Sequence, residues 1–119
     1  MPKRIRKYEE SLLEDLRDPA EAAAYLNLAL DSIGEPDGTA LFLLALGNVI
    51  RAQGFSDVAK GAELGRESLY KSISAAGNPR LKSVLEILRV LGLRISVEAQ
   101  AKPSRQKATQ RKSKLAKAS

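Results

Sequence analysis

The chain has no cysteine, no histidine and no tryptophan, and only 4% of its residues are aromatic. Without cysteine there is no disulfide framework and no thiolate metal site, so nothing suggests export. Without histidine the commonest zinc ligand and the commonest general base are both missing. No apolar run approaches the ~18 residues that a membrane span requires. The basic start, Lys3, Arg4, Arg6 and Lys7, is followed by acids and not by the apolar segment of a signal peptide. The expectation is a cytoplasmic protein with no membrane association, no metal and no cofactor. Catalysis is not expected either. The paired carboxylates, Glu9/Glu10 and Glu14/Asp15, read as exposed helix charges with no histidine, cysteine or glycine-rich phosphate loop beside them.

What is present fits one domain of packed helices. The length, 119 residues, leaves room for a single core, and the hydrophobic share of 44% is near the globular norm. Leucine, alanine, isoleucine and valine without large rings suit helices better than a β-sandwich. The net charge of +6 hides a segregated pattern. Residues 8–50 hold nine acids against the single base Arg17, residues 51–94 hold eight bases and four acids, and residues 99–119 hold seven bases and no acid. A basic half suits a polyanion and an acidic half a basic protein; each run also reads as a solvated helix face.

In chain order, Leu12, Leu13 and Leu16 stand at helical spacing in residues 8–17, a short helix or an arm that orders on contact. Asp18-Pro19 is a start signal, with Asp18 as N-cap, Pro19 at the first helical position and Glu21 completing a capping box. Ala22, Tyr25, Leu26, Ala29, Leu30 and Ile33 then form one face of a helix running to Ile33 and closed by Gly34. After the Glu35–Gly38 turn, Asp37 or Thr39 caps the most apolar stretch. Its expected stripe is Leu41, Leu44, Ala45, Val49 and Ala52, widened by Phe42, Leu46 and Ile50. Gly47 marks a close helix crossing. Ser56 is the expected cap of the next helix. Asn78 and Pro79 restart the chain, and Leu81, Val84, Leu85, Leu88 and Leu91 form the last stripe, with Gly92 as C-cap. Leu93, Ile95 and Val97 alternate with polar residues, the period of a strand, and pairing with a second copy of itself is the simplest way to stabilise it. The reading is all-α, a bundle of five to six helices with one short C-terminal strand used in dimerisation through Leu93, Ile95 and Val97. Residues 1–17 form an arm or short helix, 18–98 the domain, and 99–119 a disordered basic tail. The tail suits either non-specific phosphate attraction or simple solubilisation.

Residues 56–73, SDVAKGAELGRESLYKSI, carry the most specific spacing. They read as a helix-turn-helix, or as two ordinary packed helices. Ala59 is small where the second helix must cross. Leu64, Leu69 and Ile73 face inward, which leaves Arg66, Glu67, Ser68, Tyr70, Lys71 and Ser72 outward. In a helix-turn-helix the second helix enters the major groove, where Arg66 can read guanine and Glu67 can accept from cytosine. Lys71, Ser74, Asn78, Arg80 and Lys82 are placed for phosphates, as is the N-terminus of the helix expected at Pro79, and Ser56 and Lys60 complete the DNA-facing set. Two positions depart from the ideal motif: Glu63 stands where glycine is usual in the turn, and Gly65 where Ser or Thr caps the second helix.

The chain also resembles a known family, the addiction-module antidote (HigA-like) branch of the Cro/phage-repressor helix-turn-helix superfamily. The matching pieces are Tyr8-Glu9 with Leu12-Leu13, Asp18-Pro19 with Ala23-Ala24-Tyr25-Leu26 and Ala29-Leu30, and Phe42-Leu43-Leu44-Ala45-Leu46. Further on, Arg66-Glu67-Ser68-Leu69-Tyr70-Lys71, Gly77-Asn78-Pro79 and Leu91-Gly92-Leu93 match as well. Together they cover about two thirds of the chain, with the departures at Glu63 and Gly65 inside the motif and the tail outside it. The resemblance implies a phage-repressor-like fold and a homodimeric antitoxin of a type II toxin-antitoxin module. Such a protein binds double-stranded operator DNA, represses its own operon and neutralises a small basic toxin of the RelE/HigB kind. The acidic segment is what such a toxin would seek, and Glu9, Glu10, Glu14 and Asp15 are its candidate contacts. Two other roles fit the same residues: a stand-alone dimeric repressor without a toxin, and an adaptor or scaffold that does not bind DNA.

Overall fold

A computed structural model describes residues 3–99 except Ala75, and side chains from Tyr8 onward. The basic tail expected from residue 99 lies outside the described residues from Gln100 on. Six helices are described: α1 Lys3–Asp15, α2 Pro19–Leu30, α3 Gly38–Gln53, α4 Phe55–Gly61, α5 Arg66–Ser72 and α6 Leu81–Val90. α3 is the axis of the bundle, packing against α1, α2 and α4, while α4 in turn holds α5 and α6. No helix among the described residues is long and apolar enough to cross a membrane.

The start of α2 follows from its sequence. The Asp18 carboxylate accepts from the Ala20 amide at 3.1 Å, and Pro19 fills the first position. The other half of the capping box is not made, because the Asp18 amide donates instead to the Asp15 carbonyl at 3.1 Å. α2 ends at Leu30, short of Ile33, and a series of tight turns follows it in which Gly34 has no left-handed backbone. Ala22 and Leu26 are buried, Tyr25 and Ala29 pack on the core, and Leu30 and Ile33 are exposed.

In α3 the core face is Leu43, Leu46, Val49 and Ile50, with Phe42 packed alongside. Leu41 and Leu44, expected inside, are exposed. A helix apolar around most of its circumference does not fix its own rotation, and the positions of α1, α2 and α4 choose it. Two polar contacts tie this packing together. The Asn48 side-chain amide donates to the Tyr25 hydroxyl at 2.8 Å, and the Gln53 amide donates to the Arg17 carbonyl at 3.2 Å. Asp37 is the N-cap of α3 but makes no side-chain capping bond.

α4 begins one residue earlier than its expected cap. Gly54, at φ 107°, turns the chain sharply between α3 and α4, so Ser56 lies inside the helix. Gly47 does mark a close approach, since a Cβ there would stand 3.2 Å from the Ile73 Cδ1.

α6 begins two residues later than expected. Arg80 is its N-cap, with extended backbone at φ −69° and ψ 149°. Asn78 is held away from helix by the proline that follows it, and residues 77–80 carry the chain from α5 to the flank of α4. The buried stripe of α6 is Ile87, Leu88 and Leu91 with Val84 beside it, while Leu81 and Leu85 are exposed. The helix ends as expected at Gly92, φ 81°. Leu93 N–H reaches the Leu88 carbonyl at 2.8 Å and Gly92 N–H the Arg89 carbonyl at 3.0 Å, the paired bonds of a Schellman ending.

The strand expected over Leu93, Ile95 and Val97 is not formed; residues 93–99 have no regular structure, and the described residues contain no strand at all. The physical reason is the absence of a pairing edge: every other described element is a helix with its own backbone bonds satisfied. Leu93 packs on the core, whereas Ile95 and Val97 face solvent.

Candidate nucleic-acid interface

α4 and α5 are joined by residues 62–65. Their first turn is a second Schellman ending, with Leu64 N–H on the Ala59 carbonyl at 2.8 Å and Glu63 N–H on the Lys60 carbonyl at 3.1 Å. That ending requires a left-handed residue, and Glu63 supplies it at φ 57°, among the described residues the one non-glycine with positive φ. Gly65 then caps α5 with an ordinary extended backbone, φ −67°, and no side-chain bond. The turn is therefore of the usual shape with a strained residue at its apex.

The inward residues fall where the spacing put them. Ala59, Leu69 and Ile73 are buried and Leu64 packs on the core. α6 braces this pair from behind: Arg89 donates from its guanidinium to the Gly61 carbonyl at 3.4 Å at the end of α4, while pairing with Glu86 at 2.9 Å.

All eleven residues expected to face DNA are exposed: Ser56, Lys60, Arg66, Glu67, Ser68, Tyr70, Lys71, Ser74, Asn78, Arg80 and Lys82. Ser72, also read as outward, is half-buried. Among the described residues the ion pair is Arg89–Glu86, so the cations Lys60, Arg66, Lys71, Arg80 and Lys82 carry no carboxylate partner. Ser74 is partly committed, its hydroxyl donating to the Lys71 carbonyl at 3.0 Å and closing the end of α5. Pro79 and Arg80 lie in the extended run before α6, so no helix N-terminus stands at Pro79.

Phe55 is a residue beneath this surface that the sequence reading missed. It is buried at the start of α4, and its ring stacks on that of Tyr70 with centroids 4.0 Å apart. The Arg66 guanidinium in turn lies 5.8 Å from the Tyr70 ring centroid. Phe55 and Tyr70 are fifteen residues apart with no periodic pattern between them, so only their scarcity, two of five aromatic residues, was available as a signal.

Gly77 has a structural reason of its own. A Cβ there would run into the carbonyl oxygens of Lys71 and Ser72, the last of α5. Closely packed backbone at this point, rather than any contact of Asn78, makes glycine necessary.

Glu9, Glu10, Glu14 and Asp15 all lie exposed on α1, as does Tyr8. The expected sites thus lie on different elements: the DNA-facing set on α4, α5 and the run to α6, where five exposed cations stand among the exposed acids Asp57, Glu63 and Glu67, and the four carboxylates on α1.

Fold and surface define a small helical bundle built to present a short polar helix on a packed support. The chain belongs to the addiction-module antidote family: residues 5–99 match the family described as "Probable addiction module antidote protein". It is similar to an "Uncharacterized protein" of Haemophilus influenzae (strain ATCC 51907 / DSM 11121 / KW20 / Rd), with 33% identity over 84 residues, covering 71% of this chain and 87% of the relative. No solved structure matches the chain. The family carries a role, the antidote of an addiction module, and with that role a toxin as partner.

Proposed function

We propose that this chain is the antitoxin of a type II module, of the HigA-like kind within the Cro/phage-repressor superfamily. In this reading it acts in the cytoplasm, binds operator DNA through α4 and α5, represses its own operon and neutralises a small basic RelE/HigB-like toxin. The observation that carries the DNA half is the division of residues 56–73. The residues needed inside are packed, while the groups needed outside are exposed and the cations among them have no carboxylate partner among the described residues. In this reading Arg66, Glu67 and Ser68 meet base edges and the surrounding cations meet phosphates. Two copies act together, joined through residues 93–97, because operators read by such motifs are two half-sites. Ile95 and Val97, exposed and without a partner among the described residues, support that contact.

The test is a mobility shift on the DNA upstream of the chain's own operon. Arg66→Ala should weaken binding by roughly tenfold to a hundredfold and relax specificity at one base pair, and Lys71→Ala should weaken it evenly and lower the salt slope by about one. Binding left at wild-type strength by both changes would overturn the DNA reading.

A further inference from the structure

α3 is apolar on two sides, and among the described residues only one of them is covered. On the open side Leu41 is 48% and Leu44 57% exposed, and the neighbouring Leu28 of α2 is 70% exposed. Leu41 and Leu44 form a ridge with a groove on each flank. The larger groove, about 500 Å³, runs between α3 and the end of α5, with Gly47 and Ile73 among its lining and Tyr70 at its edge. The smaller, about 280 Å³, lies between α3 and α2 and includes Leu28 and Ala29. A joined apolar surface of this kind with a polar rim marks a protein contact.

The rim selects the occupant. Between Arg17 and Arg51 the chain has five acids and no base. Three of them, Asp31, Glu35 and Asp37, lie exposed on the turns that join α2 to α3, beside Ser32 and Leu41 of the grooves, and Asp37 lines the larger groove itself; Asp18 and Glu21 stand at the opposite end of α2. Arg51 lies at that groove too, with its guanidinium donating to the Asn48 side-chain carbonyl at 2.7 Å. A second copy of the chain seated face to face would bring acids against acids. Residues 100–119 have the right charge but contain one leucine, too little apolar surface to cover a ridge of three. The partner that fits is a separate basic protein with apolar side chains of its own. By contrast the acidic row on α1 has charge without an apolar centre, the makeup of a rim and not of a hot spot.

We infer that the toxin docks on the Leu28–Leu41–Leu44 ridge, with Asp37 facing a cation of the toxin and the α1 carboxylates steering its approach. This inference rests on the antitoxin reading. Leucines entering apolar pockets of the partner supply the binding energy, and the carboxylates supply orientation and association rate.

The test uses the full chain and the protein encoded by the neighbouring gene, titrated by calorimetry. The variants are Leu41→Gln/Leu44→Gln, Leu28→Lys, and α1 with Glu9, Glu10, Glu14 and Asp15 reversed to lysine. Helical content and operator binding are measured on every variant. The double glutamine variant should lose about a hundredfold in affinity and Leu28→Lys about tenfold, both with operator binding within about twofold of wild type. The α1 variant should lose mainly association rate, and mainly at low salt. If wild type binds and both ridge variants bind equally well, the ridge is not the docking site and the antitoxin reading stands. If wild type does not bind the neighbouring protein, both fall together. If the double variant keeps toxin affinity but turns a dimer into a monomer in sedimentation, the occupant is a second copy and the inference is overturned. Should the double variant lose helicity, Leu28→Lys alone decides.

Discussion

The rings of Phe55 and Tyr70 lie only 13° from parallel at a 4.0 Å centroid separation, joining the first residue of α4 to the outer face of α5. Tyr70 is 46% exposed, so half of the stack belongs to the surface. Tyr70→Phe should keep the stack and leave stability unchanged. Tyr70→Ala should cost about 1 kcal/mol beyond the lost area, and it should also free the Arg66 guanidinium that lies over the ring. Urea unfolding checks the first effect and operator binding the second. Equal affinity for the phenylalanine and alanine variants would mean that the ring does not position Arg66.

Glu63 holds a left-handed backbone that a side chain resists, at φ 57°. Glu63→Gly should therefore stabilise the protein by about 1 kcal/mol, raising Tm by roughly 4–8 °C. Thermal denaturation followed by circular dichroism is the measurement. A lower Tm would show that the carboxylate, not the backbone, matters at the turn.

The rotation of α3 is tested by a pair of truncations. Leu46 is fully buried and Leu44 is not. Leu46→Ala should cost about 2–5 kcal/mol, whereas Leu44→Ala should change stability by no more than about 0.5 kcal/mol. Similar costs for the two would put the core on the wrong side of the helix.

Gly77→Ala should destabilise the fold by about 2 kcal/mol or more, because its methyl group has to displace the backbone carbonyls that end α5. Gly34→Ala, with nothing near its added carbon, is the control and should be neutral. The comparison needs only equilibrium unfolding of the two variants.

Local signals were legible in the sequence and rotational ones were not. Asp18-Pro19 announced the start of α2, Gly92 the end of α6 and Glu63 the strained turn, each because one residue's backbone preference decides the matter. The packing of Ala59, Leu64, Leu69 and Ile73 was legible too, since α4 and α5 are short helices with polar residues between the apolar ones. α3 offered no such contrast, and Leu41 and Leu44 looked like core for that reason. α6 was misread by the same mechanism: with leucines at 81, 85, 88 and 91, two stripes compete, and Ile87 marks the one that packs. Pro79 marked the break before α6 but not its length: the extended run goes on through Arg80, and the helix starts at Leu81. The Phe55–Tyr70 stack is a contact between elements, and the alternation at 93–97 describes a face for which the described residues hold no partner.

The acidic border of the leucine ridge has an effect even when nothing is bound. Like charges on facing copies repel, so the border should help to keep a greasy surface dispersed while the protein waits. Added salt weakens that repulsion and strengthens apolar association. Clumping of the free chain should then rise with ionic strength, while its capture of an oppositely charged protein falls. If the ridge is where the partner docks, a chain made in excess of its target would be left with uncovered leucines, and its surface charge would be what keeps the surplus dispersed.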